Sequence, residues 1–458
     1  MVSDYWQEEF ARWQQATQRQ LEQTEPVNII GSVTGISGIV LQCHLPGARL
    51  GDLCLLPRTT GAPILAEVIG FDAQEVSLAA LDTLEGIKPG SAVHPLGLPH
   101  SIHVSPALKG GVFDGFGRAL DGQGRAAFVD TLTAQAVPVM HNATLATDRL
   151  CIEAPLYTGL SSIDGLLTLG AGQRAGIFAG AGCGKTTLLA ELARNIPCDT
   201  IVFCLTGERG RELREFMDRE LDEALRQRTV LVCATSDRSS MERVRAAFTA
   251  TAIAEGFRQQ GESTLLIVDS LTRLARAQRE IGLASGEPPG RNGFPPSVYN
   301  LLSRLVERSG RTRQGAITAL YSVLVEQDSM QDPIADEVRS LVDGHIILSR
   351  KLADQGHYPA IDVAASLSRV MNTITGTEQQ TIATHIRQLM TAYADIEMLI
   401  RLGEYQTGSD PFTDYAVAVN PALDNILKQS LRAPRAPEIT LNQLREVVAN
   451  APDPQGVL

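Results

Sequence analysis

A glycine-rich stretch of the sequence has the residue types and spacing of a loop that binds the phosphates of a nucleotide. It follows the apolar run Arg174–Ala179 and reads Gly180-Ala181-Gly182-Cys183-Gly184-Lys185-Thr186-Thr187. Glycines let consecutive backbone N–H groups turn inward around an anion, and the helix that begins next adds partial positive charge. Lys185 is long enough to reach the β- and γ-phosphates, and the Thr186 hydroxyl is a ligand for Mg²⁺. We therefore predict that residues 180–187 bind Mg·ATP.

Two acidic residues are placed to act beside this loop. Asp269 ends the apolar run Leu265–Val268, where its carboxylate can hold a Mg²⁺-bound water. Glu208 follows the apolar run Ile201–Leu205 and begins the segment Glu208-Arg209-Gly210-Arg211-Glu212. Parallel strands share one carboxyl-terminal edge, so we expect Glu208 to face the same crevice as Lys185 and to polarise the attacking water. The alternative is that Glu208 is a solvated surface side chain.

Two arginines are candidates for stabilising the charge that develops on a transferred phosphoryl group. A planar guanidinium suits this task because it donates several hydrogen bonds to phosphate oxygens. Arg273 lies one helical turn after Asp269, and Arg369 ends the segment Ser366–Arg369. Either could equally be a solvated surface arginine. The sequence alone does not place Arg369 near the nucleotide.

The elements that position these residues follow an alternating pattern. Apolar runs with the character of strands alternate with helical stretches such as Lys185–Asn195 and Met241–Gln260. This alternation predicts a parallel sheet covered by helices. The predicted strands are Arg174–Ala179, Thr200–Leu205, Val230–Ala234, Thr264–Asp269 and Ala316–Val325.

The regions on either side of this sheet differ from it. Residues 27–97 contain short alternating runs separated by Gly, Pro and Asp, which predict a small β-barrel or sandwich. These runs are Val27–Ile30, Gly38–Leu41, Gly51–Leu56, Ile64–Ile69 and Glu75–Leu81. The residues after Met371 are mostly helical in pattern.

The first residues form a segment of their own. Residues 3–24 are rich in Gln and Glu and predict a polar helix that ends before Pro26. Trp6, Phe10 and Trp13 fall on one face of this helix. That aromatic stripe either packs on its own domain or docks a partner.

Composition limits the class of protein. The formal net charge is -12, which argues against a large nucleic-acid footprint because phosphates attract clustered Lys and Arg. The seven cysteines form no CxxC pair and predict reduced, buried thiols in a cytosolic protein. No run reaches the roughly 18 apolar residues of a membrane-spanning helix, and we expect no secretory signal.

The motifs together resemble two related families. The phosphate loop, Gly207–Glu212 and Asp269–Arg273 are similar to the catalytic subunits of rotary ATPases. Further stretches resemble the ATPase of type III secretion systems and its flagellar export counterpart: Asp332–Asp336, Leu341–Arg350 and Gly356–Asp362. The resemblance covers residues 27–450, and Asp336–Leu341 looks more like the injectisome branch. One departure is Val325-Glu326-Gln327-Asp328-Ser329, where the family usually has Glu-Gly-Asp-Asp.

This resemblance implies a domain organisation and an activity. It implies an α/β fold with a RecA-like P-loop core, an N-terminal β-barrel domain and a helical C-terminal domain. The expected domains are a partner-docking helix over 1–26, a barrel over 27–97, an ATPase core over 98–371 and C-terminal helices over 372–458. It also implies a homohexameric ring that hydrolyses ATP to release chaperones and to unfold and export proteins.

The resemblance also assigns roles and partners. Lys185, Thr186, Glu208 and Asp269 match the catalytic set, and Arg369 matches an arginine finger that acts from the neighbouring subunit. Tyr358 matches the aromatic that stacks on adenine, and Arg209 and Arg273 match arginines near the phosphates. The expected partners are a stator or regulator at the N-terminal helix, a central stalk, export chaperones and secreted proteins. The expected place is the cytoplasm, peripheral at the inner face of the inner membrane on an export apparatus.

Three alternatives remain. The catalytic subunit of a rotary ATP synthase works in a ring of two different chains, whereas this chain carries both Glu208 and Arg369. A ring-shaped nucleic-acid translocase would want stacking aromatics, and residues 27–97 contain one, Phe71. A nucleotide-binding scaffold without activity would have no use for the complete set of Lys185, Glu208 and Asp269.

Overall fold

The computed structural model describes residues 10, 13, 14, 17, 29–59, 61–71, 75–120, 136–325, 332–408 and 410–449. The chain divides into two compact units. The first comprises Met1–Ala80 and Leu84–Gly97, and the second comprises Leu81–Thr83 and Leu98–Leu458. The second unit contains all the predicted site residues.

The first unit is a closed β-barrel. Its strands, within the described residues, are β1 Gly31–Ser37, β2 Val40–His44, β3 Asp52–Leu56, β4 Ile64–Phe71, β5 Val76–Ala80 and β6 Ala92–Pro99. They close in the order β1-β2-β5-β4-β3-β6. Alternate side chains such as Leu41, Cys43 and Leu78 fill the interior, as the period of two requires. The barrel prediction is confirmed, and the sandwich alternative is excluded.

One strand prediction for this unit is wrong. The run Val27–Ile30 was expected to be a strand, but Ile29 and Ile30 are exposed coil, and the strand begins at Gly31. Residues 27 and 28 lie outside the described residues. Strand β1 begins where its pairing partner does, because Gly31 lies opposite Val93 of β6. The sequence does not reveal β6, since two prolines and Gly97 interrupt its alternation of apolar and polar residues.

The N-terminal segment is described at four positions, Phe10, Trp13, Gln14 and Thr17, all of which have helical backbone. The rings of Phe10 and Trp13 stack with their centroids 5.9 Å apart, and the two side chains are 59% and 62% exposed. Trp6, the third predicted member of the stripe, lies outside the described residues.

The second unit contains the remaining strands and the helices. The strands are β7 Ser101–His103, β8 Val112–Phe113, β9 Ala136–Pro138, β10 Pro155–Leu156, β11 Leu169–Gly170, β12 Arg174–Ala179, β13 Thr200–Thr206, β14 Thr229–Ala234, β15 Ser263–Asp269, β16 Gly310–Arg311, β17 Ala316–Leu324, β18 Gly344–Leu348 and β19 Ile361–Ser368. The helices are α1 Ser161–Leu166, α2 Lys185–Asn195, α3 Gly210–Arg219, α4 Glu223–Gln227, α5 Ser240–Gln259, α6 Leu271–Ala284, α7 Pro296–Val306, α8 Pro333–Leu341, α9 Arg350–Asp354, α10 Met371–Ile374, α11 Thr377–Leu402, α12 Pro411–Leu427 and α13 Pro437–Val448.

A nine-stranded sheet, counted over the described residues, forms the centre of this unit. Its order is β19-β18-β12-β17-β15-β13-β14-β8, with β16 paired to β17. The strands from β18 to β8 are parallel, whereas β19 and β16 run antiparallel to their neighbours. Strands β13 and β14 are buried along their whole length because helices cover both faces, which explains their continuous apolar runs.

The sheet has two edges that matter for the site. We call the edge where the parallel strands end the carboxyl-terminal rim; it carries Ala179 of β12 and Asp269 of β15. We call the opposite edge the amino-terminal rim; it carries Arg174 of β12 and Gly344 of β18. Strand β19 was not among the predicted strands, since its exposed edge position interrupts the apolar pattern.

Helices α11, α12 and α13 form the helical C-terminal region and confirm that part of the predicted fold class. Their apolar side chains, including Ile386, Leu423 and Leu444, join the core on the α2 face of the sheet. Helix α13 lies so close to α1 that a Cβ at Gly165 would be 2.6 Å from Leu444 Cδ1. The boundary at 371/372 stays a prediction.

Two expectations concern the chain as a whole. All seven cysteines are free thiols, and five are buried, as predicted. Cys151, in the loop before β10, is exposed and Cys198 is half-buried, contrary to the expectation of burial. In the part of the chain that the structure describes, no helix combines the length and the apolar character needed to cross a bilayer.

Candidate active site

The predicted phosphate loop connects β12 to α2 at the carboxyl-terminal rim. Gly182 and Gly184 have φ values of +83° and +79°, which side chains with a Cβ rarely adopt. Ala181, Gly182 and Thr186 are exposed, whereas Cys183 is buried in the apolar core beneath the loop. The loop therefore offers backbone N–H groups and the start of a helix to an anion, and the Cys183 thiol points away from it.

Lys185 forms an ion pair with Asp269 at the start of α2. Both side chains are buried, with 9% and 2% of their surface exposed. Ser322 on β17, the strand between β12 and β15, donates a 2.6 Å hydrogen bond to Oδ1 of the same carboxylate. The ion pair and the hydrogen bond satisfy the buried carboxylate, which holds the lysine at the rim.

Glu208 and Arg273 form a second ion pair at this rim. Arg273 is in the first turn of α6, and its backbone N–H donates 3.4 Å to Oγ of Ser270, the residue that caps the helix. Its stem packs on Gly207, where a Cβ would be 3.0 Å from Arg273 Cδ. The glycine thus leaves the room that the arginine needs to reach Glu208.

Burial raises the pKa of the Glu208 carboxyl, and a hydrogen bond to Glu212 raises it further, although Arg273 opposes both effects. The same hydrogen bond lowers the pKa of Glu212. The Arg209 guanidinium lies 3.8 Å from Glu212 and is 76% exposed. The pKa of Glu208 is therefore raised, which brings it closer to the pH at which a general base is most effective.

A cavity of about 270 Å³ lies beside these groups. Its wall includes Thr186, Thr187, Glu208, Glu212 and Asp269. Mg²⁺ prefers oxygen ligands and keeps several of its waters, so it needs few protein groups. The Thr186 hydroxyl and the Asp269 carboxylate fit such an ion.

Tyr358 lies near the phosphate loop on its other side. A Cβ built on Gly184 would be 3.4 Å from Cε1 of the tyrosine ring, which is partly exposed. The Tyr358 carbonyl accepts a 2.8 Å hydrogen bond from the backbone N–H of Gln429, in the segment after α12. The ring is therefore held beside the phosphate loop, and its stacking on an adenine base stays a prediction.

Arg369 lies at the amino-terminal rim, apart from the other predicted site residues. It follows β19, whose last residue Ser368 pairs with Gly344, and Gly344 pairs in turn with Ala175 near the start of β12. The phosphate loop leaves the far end of β12, roughly 20 Å away for a strand of this length. The structure thus brings together Lys185, Thr186, Glu208, Asp269 and Arg273 and keeps Arg369 away from them.

Comparison with known proteins finds three family models along the chain. The nucleotide-binding domain of the ATP synthase alpha/beta family matches residues 159–368, and the beta-barrel domain of that family matches residues 33–97. The T3SS EscN ATPase C-terminal domain matches residues 375–446. A type 3 secretion system ATPase of Pseudomonas syringae pv. syringae is 56% identical over 96% of this chain and 98% of its own length.

This chain belongs to the type III secretion system ATPase family. Among solved structures, it is similar to the assembled ATPase EscN of enteropathogenic E. coli, with a TM-score of 0.84 and 42% identity over 91% of this chain and 100% of that one. A flagellum-specific ATP synthase of Treponema pallidum is 43% identical over 89% of this chain and 91% of its length. The family identifies the chain as an ATPase with a RecA-like core.

Several residues of this type III secretion ATPase site were not predicted. Ser322 has a weak signal, a lone hydroxyl in the apolar run of β17 beside the strand that carries Asp269. Glu212 lies within the quoted motif, but its contact with Glu208 depends on the first turn of α3. Gln429 has no sequence signal, because its contact with Tyr358 joins segments far apart in the chain.

Proposed function

We propose that this ATPase hydrolyses Mg·ATP at sites shared between adjacent subunits of a homohexameric ring. One subunit supplies the phosphate loop, Glu208 and Asp269, and the next supplies Arg369. The hydrolysis powers the release of chaperones and the unfolding and export of proteins through a type III secretion system. A mixed ring, as in a rotary synthase, is not required, because one chain carries both halves of the site.

The placement of Arg369 carries this proposal. The arginine is exposed, and its guanidinium donates a 3.4 Å hydrogen bond to the Arg339 carbonyl at the amino-terminal rim. The antiparallel pairing of β19 with β18 fixes it roughly a full strand length from the phosphate loop of its own chain. This separation supports a role at the nucleotide of a neighbouring subunit.

Each group then has a task set by its position. The loop N–H groups and Lys185 bind the phosphates, and Asp269 holds Lys185 in place until it does so. Glu208 accepts a proton from, or polarises, the attacking water, and Arg273 keeps its carboxylate pointed into the cavity. Mg²⁺, when bound at Thr186 and Asp269, would neutralise phosphate charge. Arg369 stabilises the charge of the transferred group, as a finger from a neighbour does.

The partners follow from similarity and from exposed surface. EscN has been solved in complex with its central stalk EscO, and the matched chain of that structure is 41% identical to this chain with a TM-score of 0.82. By analogy we propose a central stalk for this ring. The exposed Phe10 and Trp13 would dock a stator or regulator, and the ring would sit at the cytoplasmic face of the inner membrane. Trp13→Ser should abolish co-purification of that regulator; unchanged co-purification would contradict the docking role.

The experiment that tests the shared site compares Arg369→Ala with wild type at several protein concentrations. The specific activity of wild type should rise as rings form, and Arg369→Ala should bind ATP normally while turnover falls by about 10³-fold or more. Arg313→Ala, an exposed arginine near the same rim, is the matched control and should stay active. Constant specific activity, or an active Arg369→Ala ring, would overturn the shared site.

A further inference from the structure

We propose that Asp343 is a positioning residue for the arginine finger, because it fastens the backbone of Arg369 to the first residue of β12. This inference rests on the proposed function, in which Arg369 acts on the neighbouring subunit. Asp343 immediately precedes β18 and lies at the amino-terminal rim, opposite the phosphate loop.

The carboxylate of Asp343 is fully engaged with Arg174. Its Oδ2 accepts hydrogen bonds from the backbone N–H of Arg174 at 3.0 Å and from Nε at 3.1 Å, and its Oδ1 accepts from Nη2 at 2.9 Å. The backbone N–H of Asp343 donates 2.9 Å to the Arg174 carbonyl. Two parallel bonds between a guanidinium and a carboxylate fix both position and orientation.

The backbone of the same residue holds the finger. The Asp343 carbonyl accepts a 3.0 Å hydrogen bond from the N–H of Arg369, directly after the pairing of Gly344 with Ser368. Asp343 thus connects Arg174, the first residue of β12, to the backbone of Arg369. Because the Arg369 side chain is exposed, the position of its guanidinium depends on how firmly its backbone is held.

The anchor is itself secured. Arg174 makes a second ion pair of 2.8 Å with Glu307, which also pairs with Arg149. Asp343 and Glu307 together raise the pKa of Arg174, although burial alone would lower it. The side chains of Arg174 and Asp343 are 17% and 24% exposed, so solvent weakens this pair less than a surface pair. These ion pairs hold Asp343 in place at the amino-terminal rim.

The physical consequence is an effect on the rate of hydrolysis rather than on nucleotide binding. A misplacement of about 1 Å in a catalytic group can cost about 10²-fold in rate. Asp343→Ala should therefore lower kcat by up to about 10²-fold, with KM and ATP affinity close to wild type. Asp343→Asn, which keeps the shape and one acceptor oxygen, should lower it less.

The decisive test asks which second variant restores activity when it is mixed with Asp343→Ala subunits in one ring. Asp343→Ala subunits keep an intact nucleotide site and lose only the aim of the finger. They should recover turnover when co-assembled with Glu208→Gln subunits, which lack the base but keep the finger. They should recover nothing with Arg369→Ala subunits, because no interface then combines an intact site with a placed finger. Glu153→Gln, which breaks the exposed ion pair with Arg311 near the same rim, is the control and should stay active alone.

Each other outcome has a defined meaning. Recovery with Arg369→Ala but not with Glu208→Gln would show that Asp343 supports its own phosphate loop, and would overturn the proposal. Failure of both Asp343 variants to form rings would assign the residue to folding and overturn it as well. The reference mixture of Glu208→Gln with Arg369→Ala separates failure of the shared site from failure of the role of Asp343. If this mixture recovers no activity, the shared site itself is wrong.

Discussion

The two rims of the central sheet differ in what they offer a nucleotide. At the carboxyl-terminal rim, Glu208 and Asp269 line a cavity, Lys185 pairs with Asp269, and glycines in left-handed conformations lie beside them. The amino-terminal rim carries an ion-pair network that includes Arg174 and Asp343 and ends at the exposed Arg369. Under the proposed function, one rim binds the nucleotide and the other presents an arginine to the nucleotide of a neighbouring subunit.

This difference follows from the direction of the strands. In a parallel sheet all loops that follow strands meet at one edge, so residues far apart in sequence converge there. Strand β19 is antiparallel, so the residue after it leaves from the opposite edge. In the proposed function, this reversal of one edge strand directs Arg369 toward a neighbouring subunit.

The largest effect should come from the binding rim. Lys185→Ala removes the cation that contacts the phosphates and leaves the buried Asp269 without its partner. We expect ATP binding to weaken strongly and turnover to fall by about 10³-fold or more, measured by calorimetry and phosphate release. Lys109→Ala, at a lysine that pairs with Glu262 at the opposite edge of the sheet, is the control. Normal binding in Lys185→Ala would show that the carboxyl-terminal rim has been assigned the wrong role.

A smaller effect should come from the base on the same rim. Glu208→Gln keeps the size and some hydrogen bonding but removes the carboxylate, so ATP binding should persist while turnover falls by at least about 10²-fold. Single-turnover measurements separate binding from hydrolysis. A Glu208→Gln ring with near wild-type turnover would remove Glu208 from the mechanism.

The smallest effect should be a shift in pH dependence. Glu208 must be deprotonated to act as a base, and its raised pKa places the loss of activity on acidification at a higher pH than for an ordinary glutamate. Glu212→Ala removes one of the causes that raise this pKa, so the acidic limb of the kcat profile should move to lower pH, while burial and the Asp269 charge keep part of the elevation. Glu215→Ala, at another acid that lines the cavity, should leave the limb in place. An unmoved limb in Glu212→Ala would contradict the coupling of the two carboxyls.

The carboxyl-terminal rim was largely predictable from the sequence, and the amino-terminal rim was not. The strand-loop-helix pattern around Lys185 and the strand ends at Asp269 and before Glu208 are local signals in the sequence. The topology of a parallel sheet then brings these residues to one edge. The location of Arg369 depends on β18 and β19, which pair through residues separated along the chain, with a register shift between His345 and Ile347. The strand expected at Val27–Ile30 failed for a similar reason, since the pairing partner decides where β1 begins.

The most direct measurement compares two mixtures with the same number of altered groups. One is an equal mixture of Glu208→Gln and Arg369→Ala subunits, and the other is an equal mixture of wild type and the double variant that carries both changes. If each site joins two subunits, about one quarter of the sites in randomly mixed rings are complete in either mixture, so the two rates should agree. If Glu208 and Arg369 act within one chain, the first mixture should be inactive and the second should keep about half of the wild-type rate. Equal rates are the result that this account predicts, and a silent first mixture beside a half-active second one would contradict it.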